Sequence, residues 1–403
     1  MDLTAKLRRF LPQQSDSPST ATKRVVDLDP LLHGQEISTP FGACYVMEKS
    51  LALTAVHGHW TLGEVLSANY SHLGAFGSGL GAKFDPTEAL FLDTETTGLA
   101  GGTGTYAFLV GLGFFTATHF VVKQLLMRDY NEELALLYLL DQALQEKDTI
   151  VSFNGKTFDL PLLQTRFTIS RLGFVGASEK KHVDLLHLSR RLWRHKLASC
   201  SLSSLEERIL GVERVDDVPG YEIPQRYFEF LQTGDGTLLQ NIAEHNVIDI
   251  VSMATLLHRL RTTVELKPEE CDCSFEAEAL AGLSLASNDH HLALRYLEVA
   301  ATLTDDDRQY LKALRQAAAI FKRLGQHERA SALWKKILAV TADDLVTSEE
   351  LAKYYEHRAK DLASAESVTR RALAIAWHSR SPKAPALEHR LQRIERKVLS
   401  GAP

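Results

Sequence analysis

The chain has 403 residues, 45% of them hydrophobic and 24% charged, which requires two or three folded domains and excludes wholesale disorder. A formal net charge of −6 excludes a general electrostatic affinity for nucleic acid, so any such contact has to come from a local basic patch or bridging cations. Four cysteines (Cys44, Cys200, Cys271, Cys273) are too few and too uneven for a disulfide framework and fit a reducing compartment. The Cys271-Asp272-Cys273 spacing is not that of a zinc knuckle. Met1 to Gln14 lacks the apolar run of a secretory signal, and the longest apolar stretch, Tyr106 to Phe115, is too short to span a bilayer. A cytoplasmic protein without a membrane partner is expected.

Residues 1–24 contain a Ser-, Thr-, Gln- and Pro-rich run, Gln13 to Thr22, that reads as flexible. Residues 25–85 read as an N-terminal extension. Within it, Ile37 to Leu53 predicts a β-hairpin turning at Phe41-Gly42, and Leu73 to Phe84 is a glycine-rich linker. Gly77, Gly79, Gly81 and Lys83 in that linker lack the spacing of a phosphate loop. Residues 86–263 are mixed α/β. Ala89–Asp93, Thr105–Phe115 and His119–Met127 read as strands, with connections short enough for an antiparallel trio. Glu132–Gln145 has a helical period, Thr149–Phe153 reads as a strand, and Leu160–Leu172 as a helix with Pro161 in its first turn. A further strand near His182–Leu185, a helix Ser203–Leu210 ended by Gly211, and a long helix from about Leu238 to Leu260 follow. Residues 274–403 lose the strand pattern. Ala293-x₆-Ala300, Ala330-x₆-Ile337 and Ala365-x₆-Ala372 recur about every 35 residues, close to the tetratricopeptide period. Stacked helix pairs are expected there, with a concave surface suited to a protein partner.

Chemistry concentrates in three places. In Ala89-Leu90-Phe91-Leu92-Asp93-Thr94-Glu95-Thr96-Thr97-Gly98 a strand leads into an Asp-x-Glu pair, and residues two apart in a strand share a face. Two carboxylates so close repel each other unless cations intervene, and oxygen-rich clusters suit hard divalent ions. Asp159 follows Asn154-Gly155-Lys156 and precedes Leu160-Pro161, a position that also suits an N-cap. His245 and Asp249 lie four apart on a stripe with Leu238, Ile242, Met253, Leu256 and Leu260. An ionised Asp on that buried side costs several kcal/mol, on the order of 3–5, unless it is paired or holds a metal.

Asp-x-Glu, Asn-x₄-Asp and His-x₃-Asp in this order resemble the DEDD 3′–5′ exonucleases, and more narrowly the YprB-like branch of ribonuclease H-fold proteins. Phe91 to Gly102, Phe108 to Gly113, Asp184-Leu185-Leu186-His187, Cys200-Ser201-Leu202 and His245-Asn246 with Asp249-Ile250-Val251 carry the likeness. It spans about Ala89 to Leu260. The resemblance implies a ribonuclease H-like mixed sheet, three antiparallel strands and then parallel ones, flanked by helices and followed by an all-α helical-repeat domain. It implies hydrolysis of DNA or RNA phosphodiester bonds from the 3′ end with two divalent cations, Mg²⁺ or Mn²⁺. Asp93 would bridge both ions, Glu95 and Asp249 would complete the first site, and Asp159 would anchor the second. His245 would be the general base, although its four-residue spacing from Asp249 is that of the tyrosine-type members.

Asp184 is expected to cap the helix that follows it. Lys180, Lys181, Arg190, Arg191, Arg194 and Lys196 form the densest basic stretch; Arg190, Arg191, Arg194 and Lys196, with Asn154 and Lys156, are the candidates for contact with a nucleic acid. Trp193 among them suits core packing better than stacking on a base. The rival readings are a catalytically silent nucleic-acid-binding or scaffold protein of this fold and a structure-specific endonuclease using the same acids.

Overall fold

The computed structural model describes residues 28–70, 73, 84–98, 103–173 and 180–400. The expected flexible N-terminal run and most of the glycine-rich linker, with Gly77, Gly79, Gly81 and Lys83, lie outside these residues. A short helix, α1 (Asp29–Leu32), leads into a hairpin of β1 (Gly34–Thr39) and β2 (Gly42–Ala52). Its turn falls at Pro40-Phe41, closed by Thr39, whose Oγ1 accepts from Phe41 N and donates to Gly42 O. A two-stranded ribbon, β3 (Val56–His57) and β4 (Trp60–Thr61), precedes α2 (Leu62–Leu66).

The mixed α/β section supplies β5 (Ala89–Thr96), β6 (Ala107–Phe115), β7 (His119–Leu126), α3 (Glu133–Gln145), β8 (Thr149–Ser152), α4 (Asp159–Ile169), β9 (Lys181–Asp184) and α5 (Leu185–Trp193). One seven-stranded sheet results, in the order β1-β2-β7-β6-β5-β8-β9. β5, β6 and β7 are antiparallel, as their short connections predicted, and β5, β8 and β9 are parallel, as the family resemblance implied. The hairpin joins the same sheet, because β2 pairs with β7 from Tyr45↔Leu126 to Ala52↔His119.

Alternation along β5 sends Leu90 and Leu92 to one face and Phe91, Asp93 and Glu95 to the other. Leu90 and Leu92 belong to a core with Leu136 and Leu140 of α3 and Leu163 of α4. Phe91 belongs to a second core with Ile250 and Leu257, both on the long helix. After α5 come α6 (Leu202–Leu205), which continues as one π-helical turn (Glu206–Leu210), then α7 (Ile223–Thr233) and α8 (Thr237–Glu265). Gly211 ends the π turn at φ 70°, a left-handed conformation that glycine adopts without strain.

The strand-free section folds as α9 (Ser274–Ala286), α10 (His290–Thr302), α11 (Asp307–Arg323), α12 (His327–Val340), α13 (Leu345–Tyr354), α14 (Leu362–His378) and α15 (Ala384–Leu399). The six repeat positions, Ala293, Ala300, Ala330, Ile337, Ala365 and Ala372, are all buried where successive helices pack. Leu280, Tyr296 and Leu297 of this section share the core that holds Phe91, Val151 and Ile250. Buried Glu276 fastens the junction, accepting from Trp193 Nε1 (3.0 Å) and Lys196 Nζ (2.9 Å), with Arg259 at 3.4 Å. Among the described residues no helix is long and apolar enough to cross a membrane.

Candidate metal centre

Asp93 and Glu95 point from β5 toward the N-terminal half of α8. The helix comes close because the residue opposite Asp93 on β6 is Gly111. A Cβ at Gly111 would stand 2.1 Å from Asn246 Oδ1, so only glycine admits this side chain. Asn246 is fully buried and its Nδ2 donates to Asp93 Oδ2 at 2.9 Å. Gln124 Nε2 fixes the amide by donating to its Oδ1 (2.9 Å) and to Ala243 O (2.8 Å). A register irregularity between Glu95 and Thr96 twists the end of β5, as bulges beside functional sites do.

Asp159 is the first residue of α4, one past the N-cap position, which Phe158 occupies without a side-chain cap bond. The expected N-cap role is therefore corrected. Its Oδ1 instead accepts from Thr94 Oγ1 at 2.5 Å, with only 4% of the residue exposed. Asp184 does cap α5, accepting from Leu186 N. It also accepts from Asn154 N (2.9 Å) and Lys156 N (3.1 Å), clamping the loop ahead of Asp159. Asn154 sits in that loop at φ 66° and Lys156 projects into solvent.

His245 and Asp249, one turn apart on α8, face Glu95. His245 Nε2 lies 3.7 Å from Asp249 Oδ2 and 4.0 Å from Glu95 Oε1. Ligand atoms of Glu95, His245 and Asp249 all fall within 4.8 Å of one another. Two residues that sequence reasoning missed hold this group from outside. Asp217 Oδ1 lies 2.7 Å from His245 Nδ1. A carboxylate only accepts, so this contact puts the proton on Nδ1. Arg214 Nη1 is 3.2 Å from the same nitrogen, but its partner is Asp217 Oδ2 at 3.1 Å. Arg214 Nη2 donates to Asp249 Oδ1, and Arg214 is anchored by two 2.6 Å bonds to buried Glu206 of the π turn.

The electrostatics of the acids follow from burial and mutual repulsion. Burial, then the charges of Asp249, Glu95 and Asp159, push Asp93 well above the usual carboxylate range. Burial, then Asp249 and Asp159, does the same to Glu95. Burial lifts Asp159 to about 6 despite its bond from Thr94. Burial also raises Asp249, against the pull of Arg214 and His245. Desolvation would raise Asp217 too, but the bond from His245 and the charges of His245 and Arg214 keep it below the usual range. The four acids expected from sequence thus sit within electrostatic reach of one another, short of positive charge. Buried carboxylates in deficit are the donor set that divalent cations fit.

The basic stretch lies elsewhere. α5 starts at the clamp of Asp184 and carries Arg190, Arg191 and, at its C-cap, Arg194 away from it, about 9 to 15 Å along the helix axis. All three are exposed, whereas Lys196 is tied to Glu276. Trp193 is fully buried and belongs to the core.

Residues 90–261 match the model of the RNase_H superfamily, the class to which the mixed sheet and its acids also point. Over 367 residues the chain is 31% identical to the uncharacterized protein YprB of Bacillus subtilis (strain 168), across 89% of this chain and 87% of that one. It therefore belongs to the family of YprB-like proteins within the ribonuclease H superfamily.

Proposed function

We propose that the chain is a metal-dependent 3′–5′ exonuclease that hydrolyses phosphodiester bonds of DNA or RNA, with Asp93, Glu95, Asp159 and Asp249 as ligands of two divalent cations, Mg²⁺ or Mn²⁺. The observation that carries this reading is the convergence of four acids from β5, α4 and α8, Glu95 and Asp159 buried and Asp93 and Asp249 half-buried, each pushed above its ordinary pKa. Protein donors orient three of them by one oxygen each: Asn246 on Asp93, Thr94 on Asp159 and Arg214 on Asp249. Ions held there would activate the attacking water and neutralise charge on the departing 3′ oxygen. The neighbouring Asn154–Lys156 loop, set by Asp184, gives the substrate backbone a cation in Lys156. Arg190, Arg191 and Arg194 extend that contact along α5, and the helical repeats offer a protein partner their concave side. Four free cysteines support a cytoplasmic setting.

The test is a panel of 5′-labelled DNA and RNA strands with Mg²⁺ or Mn²⁺. Stepwise shortening from the 3′ end is expected, lost by at least about a hundredfold in Asp93→Ala and Asp249→Asn. Hydrolysis that both variants retain would refute the site. Cleavage of a strand blocked at both ends would make the enzyme an endonuclease instead.

A further inference from the structure

We infer that His245 is itself a metal ligand, completing with Glu95 and Asp249 a mixed nitrogen–oxygen site for one first-row divalent cation. The inference rests on the metal-dependent reading above and changes the role of the histidine within it. With the Nδ1 proton directed at Asp217, Nε2 presents its lone pair to two carboxylate oxygens, 3.7 and 4.0 Å away. A protonated Nε2 would close on one of them to roughly 2.8 Å, the length of a charge-assisted hydrogen bond. The ring stands between both instead. Two ligands about 2.1 Å from a shared ion lie some 3.0–4.2 Å apart, depending on the angle between them. The observed separations fall in that interval.

The surroundings of the ring agree. Metal-bound imidazoles as a rule donate their second N–H to a carboxylate, which fixes tautomer and orientation, and Asp217 supplies that carboxylate. Arg214 occupies Asp249 Oδ1 and leaves Oδ2 on the side of His245. Glu95 is an independent sign. Only 9% exposed, its carboxylate accepts no hydrogen bond among the described residues, while its Oε1 is directed at Nε2. A carboxylate with so little water and no protein donor is better satisfied by a cation. A nitrogen donor biases such a set away from Mg²⁺ and toward Mn²⁺, Fe²⁺ or Zn²⁺. A lone pair given to the ion is not available to a proton, so His245 is then not the general base.

Pulsed electron paramagnetic resonance of the full chain loaded with Mn²⁺ reads this directly, alongside Mn²⁺ titration. The expected result is a ¹⁴N coupling to bound Mn²⁺ in the unaltered protein, absent in His245→Gln, with Mn²⁺ affinity lowered roughly tenfold to a hundredfold in His245→Gln and about tenfold in Asp217→Asn. Mn²⁺ binding that Asp249→Asn removes, but without nitrogen coupling in the unaltered protein, would overturn the inference and leave the exonuclease reading standing. Mn²⁺ binding indifferent to Asp249→Asn would overturn both.

Discussion

Glu356 in the helical tail and Glu95 in the sheet are both buried, at 1% and 9% exposure, yet their neighbours carry opposite charge. Glu356 lies at the π turn that ends α13, within 3.0 Å of Arg390, 2.7 Å of Arg393 and 2.8 Å of Lys397 on α15. Burial alone would raise its pKa, but the hydrogen bonds and charges of these partners bring it down to about 2. Around Glu95 the neighbours are Asp249 and Asp159, and its pKa rises. A carboxylate that holds helices together is given more cations than it needs. Those around the C-terminal end of β5 are left with surplus negative charge, and among the described residues Arg214 is the one fixed cation in ion-pair contact with them.

Four substitutions test that contrast. The largest effect is expected from Arg214→Gln, which strands Glu206, Asp217 and Asp249 without their cation. A loss of about 3–5 kcal/mol in urea unfolding is expected, and a loss under 1 kcal/mol would show that the acid cluster is balanced by other means. Glu356→Gln should cost about 2 kcal/mol, less than a dry pair because Arg393 and Lys397 keep 36% and 35% of their side-chain surface exposed. Its pKa is depressed on folding, so this contribution is complete above about pH 4.5 and is lost as pH falls through about 2. Thermal melts of the two proteins should converge at the acid end.

Asp159→Asn has the opposite sign. A folded-state pKa of about 6 against 3.8 means that the native protein holds the extra proton between those values. Native stability therefore falls as pH rises through that window and stays lower above it. Without divalent ions the asparagine variant should be more stable by about 1–2 kcal/mol above pH 6, with no gain below about pH 4. A destabilised variant at pH 8 would contradict the charge deficit. Smallest is Lys397→Ala, at about 0.5 kcal/mol, because two arginines remain on Glu356.

The antiparallel trio β5-β6-β7 was readable from strand spacing because short connections constrain pairing locally, whereas the hairpin's place beside β7 rests on a pairing between distant segments that spacing does not announce. Asp93 and Glu95 were readable as a pair because residues two apart in a strand share a face, and His245 with Asp249 because residues four apart in a helix do. Asn246 stood in the His245-Asn246 pair, yet its bond to Asp93 depends on Gly111 across the sheet. Arg214 and Asp217 had no such signal. They lie in Glu213-Arg214-Val215-Asp216-Asp217, a charged segment between helices with no periodicity, and only the chain's return past α8 brings them to His245 and Asp249. Asp159 misled in one respect: its place before Leu160-Pro161 suits a cap, but Thr94 offers its side chain a bond from the neighbouring strand.

The 29-residue span of α8 has a bearing on how this protein can be divided. The N-terminal half of the rod carries Asn246 and Asp249, while Leu256, Leu257 and Leu260 farther along lie in an apolar core shared with Leu280, Tyr296 and Leu297. Residues 263 and 274, where the composition changes, therefore mark no break in the interior. A chain severed there would present greasy leucines to water on the same rod that aligns the acids, so the half that holds the acids relies on the helical tail to cover its apolar face.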